Sequence, residues 1–75
     1  MNIKAGDVCR VKRTGKAVLL EREFKMANWP GVRHFYISDA FGTTYGIGEN
    51  GLAAATMTEQ RDFWRECYFE LLNDL

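Results

Sequence analysis

Few side chains in this chain carry reactive or metal-ligating chemistry: one histidine, His34, and two cysteines, Cys9 and Cys67. On a strand, His34, Tyr36 and Ser38 share a face, so a Ser–His pair is the one nucleophilic arrangement the spacing offers. Such a pair needs an acid to orient the imidazole, and the adjacent Asp39 alternates to the other side. Zinc takes about four Cys/His ligands at tight spacing, whereas Cys9, His34 and Cys67 are scattered. Gly46 and Gly48, followed by Gly51, lack the lysine that anchors a phosphate, and no Walker-type loop or GxGxxG is present. The C-terminal acids recur at helical spacing and describe a solvated face rather than a paired-carboxylate site. The sequence assigns no catalytic residue, no cofactor-binding residue and no metal ligand. A non-enzymatic protein is expected.

The elements that would position other chemistry read clearly. Cys9 and Val11 alternate with Val8, Arg10 and Lys12 at the period of a half-buried strand. Thr14-Gly15-Lys16 forms a turn, and Ala17 to Phe24 a second strand with Val18, Leu20 and Phe24 on one face and Glu21 and Glu23 on the other. A loop runs to Trp29-Pro30-Gly31. Val32 to Ser38 is rich in β-branched and aromatic residues and predicts strand three. Asp39-Ala40-Phe41-Gly42 makes a hairpin turn with Gly where a positive φ is wanted. Thr43 to Gly48 predicts strand four, its two glycines leaving one face bare. Glu49-Asn50-Gly51 turns the chain into a short fifth strand within Leu52 to Met57.

The period then changes. Thr56-Met57-Thr58-Glu59 matches a capping box, with Thr58 as the alternative cap. Phe63, Trp64, Cys67, Tyr68, Leu71 and Leu75 recur at helical spacing opposite Glu59, Asp62, Glu66 and Glu70, which predicts an amphipathic helix over 59–73. A final strand over Cys67 to Leu72 competes with it; Phe69 is exposed on the helix and buried in the strand. The expectation is a single mainly β (α+β) domain of 75 residues. Its barrel-like part covers 1–57, with four to five antiparallel strands, and its C-terminal helix covers 58–75. Such a chain is near the lower size limit for one core, and 13% aromatic residues help to fill it.

The strand–turn–strand–loop–strand–hairpin–strand order, opened by Gly6-Asp7 and inward Cys9 and Val11, resembles the SH3-like small barrel, in particular its KOW- and Tudor-type members. The resemblance covers about the first two-thirds of the chain and implies a barrel that binds protein, peptide or nucleic acid. The stretch Asn2-Ile3-Lys4-Ala5-Gly6-Asp7-Val8-Cys9-Arg10-Val11 also looks like the opening of short phage and prophage accessory proteins.

Net charge is zero but uneven: residues 1–37 hold eight Lys/Arg against three acids, and residues 38–75 two Arg against seven acids. Two halves that pack together and partly cancel explain this better than two separate binding faces. Two reduced thiols suggest a cytoplasmic protein, with a Cys9–Cys67 disulfide as the alternative. The longest apolar run is too short for a membrane span, and the opening residues lack a signal peptide's apolar stretch. The first functional reading is a protein-binding module, an accessory protein that modulates or inhibits its partner, using Trp29 at a loop tip, Phe41 in a turn, and Phe69 with Arg65 on the helix. The second is nucleic-acid binding through Arg10, Lys12, Arg13 and Lys16, extended by Lys25 and Arg33, with Tyr36 or Phe35 stacking bases. The missing positive excess weighs against it. A homodimer joining basic to acidic halves is compatible with either.

Overall fold

A computed structural model describes residues 2–73 as a small α+β domain. Five antiparallel strands, β1 (Val8–Val11), β2 (Ala17–Phe24), β3 (His34–Ser38), β4 (Thr44–Gly48) and β5 (Leu52–Ala54), form one sheet in the order β4-β3-β2-β1-β5. A single 3-10 turn, Glu49–Gly51, links β4 to β5, and one helix, α1 (Met57–Asn73), follows. The strand boundaries track the alternation in the sequence. Residues 67–72 are helical, which removes the competing strand.

Alternation sends Cys9, Val11, Val18, Leu20, Phe35, Ile37 and Leu52 to one face of the sheet, where each is almost fully buried. Cross-strand pairs lock them together: Cys9 faces Val18, Leu20 faces Ile37, and Val11 faces Leu52. Ile3 and the partly buried Ile47 complete this cluster. Turn chemistry fixes the register. Gly15 (φ 75°) and Gly42 (φ 87°) adopt the left-handed conformation that the two tight turns require. The Asp39 carboxylate accepts the N–H groups of Phe41 (2.9 Å) and Thr43 (3.0 Å), closing the β3–β4 turn.

Two expectations about side-chain direction are corrected. The β2–β3 register shifts between Leu20 and Arg22, so Glu21 is an extra residue on β2 and the pleat inverts beyond it. Phe24 therefore leaves the face of Val18 and Leu20. It stacks on Tyr36 (4.2 Å between centroids) and touches His34 (5.6 Å) on the opposite face. Glu23 moves the other way, opposite Phe35, where with Arg33 it caps the end of the core.

The helix is the second correction. It begins at Met57, and Phe63 is its one buried residue, while Cys67 is half-buried. Trp64, Tyr68 and Leu71, expected to face the core, are 50%, 59% and 60% exposed; Leu75 lies outside the described residues. The less exposed helix positions are Glu59, Gln60, Phe63, Cys67 and Glu70. That stripe is rotated by about a quarter turn from the apolar one. Both cysteines are unpaired: Cys9 lies in the sheet core, and Cys67 lies on the helix. Among the described residues, no helix is long and apolar enough to cross a membrane.

The bulge separates two classes of aromatic substitution. Phe35→Ala, in the closed inner face, is expected to destabilise the domain by about 3–5 kcal/mol. Phe24→Ala, on the outer face, is expected to cost less than half as much, as read by urea denaturation. Equal losses would place Phe24 in the same core as Leu20.

Candidate binding surfaces

One carboxylate ties the first turn of the helix to the sheet. Thr56 and Glu59 form a reciprocal capping box: the Glu59 N–H donates to Thr56 Oγ1 (3.1 Å), and the Thr56 N–H donates to Glu59 Oε1 (3.0 Å). The same Oε1 accepts Arg10 Nη1 of β1 at 3.0 Å. The backbone hydrogen bond from Thr56, aided by Arg10, holds the Glu59 carboxyl below its ordinary range. Arg10 and Glu59 form one ion pair between the basic and acidic halves of the sequence. Gln60 adds a bond from Nε2 to the Ala55 carbonyl (3.2 Å).

These contacts orient the N-terminal half of α1 across β1 and β2, and the longest dimension of the molecule is 41 Å against 24 and 20 Å. Beyond Phe63, the helix presents Trp64, Tyr68, Phe69, Leu71 and Leu72, each 45–60% exposed. Tyr68 and Phe69 meet edge-on at 6.1 Å, so the apolar surface wraps around the helix. An aromatic side chain has roughly 150–250 Å² to bury, so these five residues leave about 500 Å² of side-chain surface in water. That matches the largest apolar patches found on single soluble domains, which are often functional.

All four residues proposed from sequence for protein contact are exposed, but they are dispersed. Phe69 (55%) and Arg65 lie on α1. Phe41 (69%) stands on the β3–β4 turn, where it lines a cleft of about 400 Å³ with Asp39, Lys16 and Phe63. Trp29 (59%) stands in the β2–β3 loop, beside Met26, Pro30 and Val32, at the end of β2 away from the β1–β2 turn. It does not fold back over the sheet. Trp64, Tyr68, Leu71 and Leu72 are the residues that sequence reasoning assigned to the core or passed over. The available signal was width: apolar positions cover about half the helix circumference, more than one docking stripe uses.

The proposed nucleic-acid set is only partly brought together. Lys12, Arg13 and Lys16 are exposed around the β1–β2 turn, whereas Arg10 is paired with Glu59. Tyr36 carries the Phe24 ring at 4.2 Å and the Arg22 guanidinium at 4.6 Å, so its ring is already engaged. His34 Nδ1 lies 3.0 Å from the Val32 carbonyl oxygen. Ser38 lies at the opposite end of β3 from His34 and is buried, so the two do not form a Ser–His pair. Burial raises both thiols above their ordinary value, with Asp7 adding to it at Cys9, and Glu66 and Asp39 at Cys67. Among the described residues, no three His, Cys, Asp or Glu side chains cluster to hold a metal ion. Comparisons with models of known protein families, with curated proteins and with solved structures find no match.

The capping carboxylate predicts an acid limb to stability. Glu59 titrates lower in the folded state, so its contribution is complete above the ordinary carboxylate range and is lost as pH falls through the depressed value. Glu23, lowered first by its hydrogen bond from Arg33, acts in the same direction. Urea midpoints measured from neutral pH to about pH 3 are expected to fall less steeply in Glu59→Gln than in the wild type. Thr56→Ala is expected to cost about 1 kcal/mol at neutral pH. An unchanged acid limb in Glu59→Gln would remove this carboxylate from the account.

Proposed function

We propose that this chain is a non-enzymatic, SH3-like protein-binding module, an accessory protein that acts by occupying a surface of its partner. The supporting observation is the apolar face of α1: a 17-residue helix attached through Phe63 and Glu59 leaves two aromatics and two leucines of one stripe in water. Water-exposed tryptophan and tyrosine at helical spacing are the residue types that dominate interface energies, and Arg65 and Phe69 extend the same surface. A meander of four strands, a single 3-10 turn and a short fifth strand beside β1 fits the SH3-like reading. Two unpaired thiols fit a cytoplasmic setting. Nucleic-acid binding has less support, because Arg10 and Tyr36 are engaged within the domain.

Affinity capture from cell lysate with and without nuclease tests this. A stoichiometric protein that survives nuclease is expected with the wild type. Trp64→Ala combined with Tyr68→Ala is expected to lose it while the domain stays folded, at a cost of about 1–2 kcal/mol because Trp64 meets Phe63 edge-on at 5.1 Å. Full capture by this variant, or recovery that vanishes with nuclease, would overturn the reading. Sedimentation of the purified protein separates a homodimer formed through α1 from a heterologous complex.

A further inference from the structure

β4 is one margin of the sheet, and the phase of its hydrogen bonds shows which backbone groups it leaves open. The Asp39 N–H donates to the Thr43 carbonyl (3.0 Å), and the Glu49 N–H donates to the Arg33 carbonyl (2.7 Å). In an antiparallel ladder such bonds recur at every second residue, so residues 43, 45, 47 and 49 face β3. Thr44, Gly46 and Gly48 turn their N–H and C=O groups to the open side. Among the described residues, Thr44 and Gly46 make no hydrogen bond outside the ladder, and Gly48 keeps its N–H open while its carbonyl, at the N-cap of the 3-10 turn, accepts that turn's first bond.

Natural edges are blunted by charge, proline, a bulge, brevity or a covering segment. β4 reads Thr-Tyr-Gly-Ile-Gly, carries no charge or proline, and pairs with β3 in an unbroken register. Thr44, Tyr45 and Gly46 are exposed. The other edge, β5, has three residues and leads almost at once into α1. A mainly apolar cleft of about 650 Å³ runs beside β4, between Tyr45 and Ile47 on one side and Val11, Lys12 and Arg13 on the other. Lys12 and Arg13 are exposed and have no ion-pair partner among the described residues.

We infer that the β4 edge is a second binding site, which takes an extended, acidic segment of a partner protein as a sixth strand. Thr44 and Gly46 supply N–H donors and C=O acceptors, and Gly48 a further N–H, in the alternation of a peptide backbone. The cleft receives alternate apolar side chains, and Lys12 and Arg13 select carboxylates beside them. A second copy pairing β4 to β4 would bring two Lys12/Arg13 sets together, and like charges at close range oppose it. Alternating N–H and C=O groups do not suit a phosphate backbone, which only accepts. The site goes beyond the helix face and does not depend on it.

The probe is a blocked synthetic peptide of alternating Glu and Val, titrated into ¹⁵N-labelled protein. The amide signals of Thr44, Gly46 and Gly48 are expected to shift and to gain protection from hydrogen exchange. Lys12→Glu with Arg13→Glu is expected to weaken binding by about tenfold or more (about 1.4 kcal/mol). Thr44→Pro, tolerable because its N–H faces outward, and N-methylation of the peptide's alternate amides are expected to abolish it. The Trp64→Ala, Tyr68→Ala variant is expected to bind the peptide unchanged, so loss of lysate capture and loss of peptide binding report on different surfaces. The inference fails if millimolar peptide leaves the three amides unmoved, if a Lys-Val peptide binds as well, or if oligouridylate shifts those amides and the acidic peptide does not.

Discussion

Seven side chains from four strands, Cys9, Val11, Val18, Leu20, Phe35, Ile37 and Leu52, exclude water from one face of the sheet almost completely. No helix residue contributes to that cluster. Burial of apolar surface is the main force that orders so small a chain, and here strands alone supply the principal core. What remains for α1 is a smaller contact on the opposite face, centred on Phe63. The helix is therefore an attachment to a core built without it. Most of its other apolar surface is left in water, although Trp64 meets Phe63 edge-on at 5.1 Å and Cys67 is half-buried.

The direction of that attachment follows from electrostatics as much as from packing. One oxygen of Glu59 serves both the first turn of the helix and the guanidinium of Arg10. A carboxylate at a helix N-terminus also suits the positive end of the helix dipole. Together these bonds turn the Glu59–Phe63–Cys67 side toward the sheet and leave the Trp64–Tyr68–Leu71 side outward. Exposed ion pairs contribute modestly to stability; here the pair has a second effect, because it sets which helix face meets solvent.

Most of the architecture could be read from local sequence, because its causes are local. Alternation set β1 and β3, Gly15 and Gly42 marked turns that need positive φ, and the Thr56–Glu59 spacing started the helix. The errors lie where a distant partner decides. Nothing within Glu21-Arg22-Glu23 signals the extra residue; it exists only relative to the register of β3, and it carries Phe24 to the other face. The helix rotation depends on Arg10, 49 residues before Glu59. The same holds for the binding surfaces. Trp29 and Phe41 were recognisable as exposed because turns place them there, whereas the engagement of Tyr36 by Phe24 and Arg22, and the open edge of β4, emerge only from strand pairing.

The strand order also has a kinetic meaning. β1 to β4 pair with their sequence neighbours across short connections, so their contacts form with little loop-closure entropy. The β1–β5 pairing joins Cys9 to Ala54 across the whole meander, and α1 follows it. Elements whose contacts are few and late-forming are the first to open in a folded protein. α1, whose one buried residue is Phe63, has the least packing to lose on opening, whereas β5 keeps Leu52 in the core. The helix surface thus belongs to the element least tied to the core, so a partner that grips α1 engages the domain without competing with the contacts that hold its sheet together.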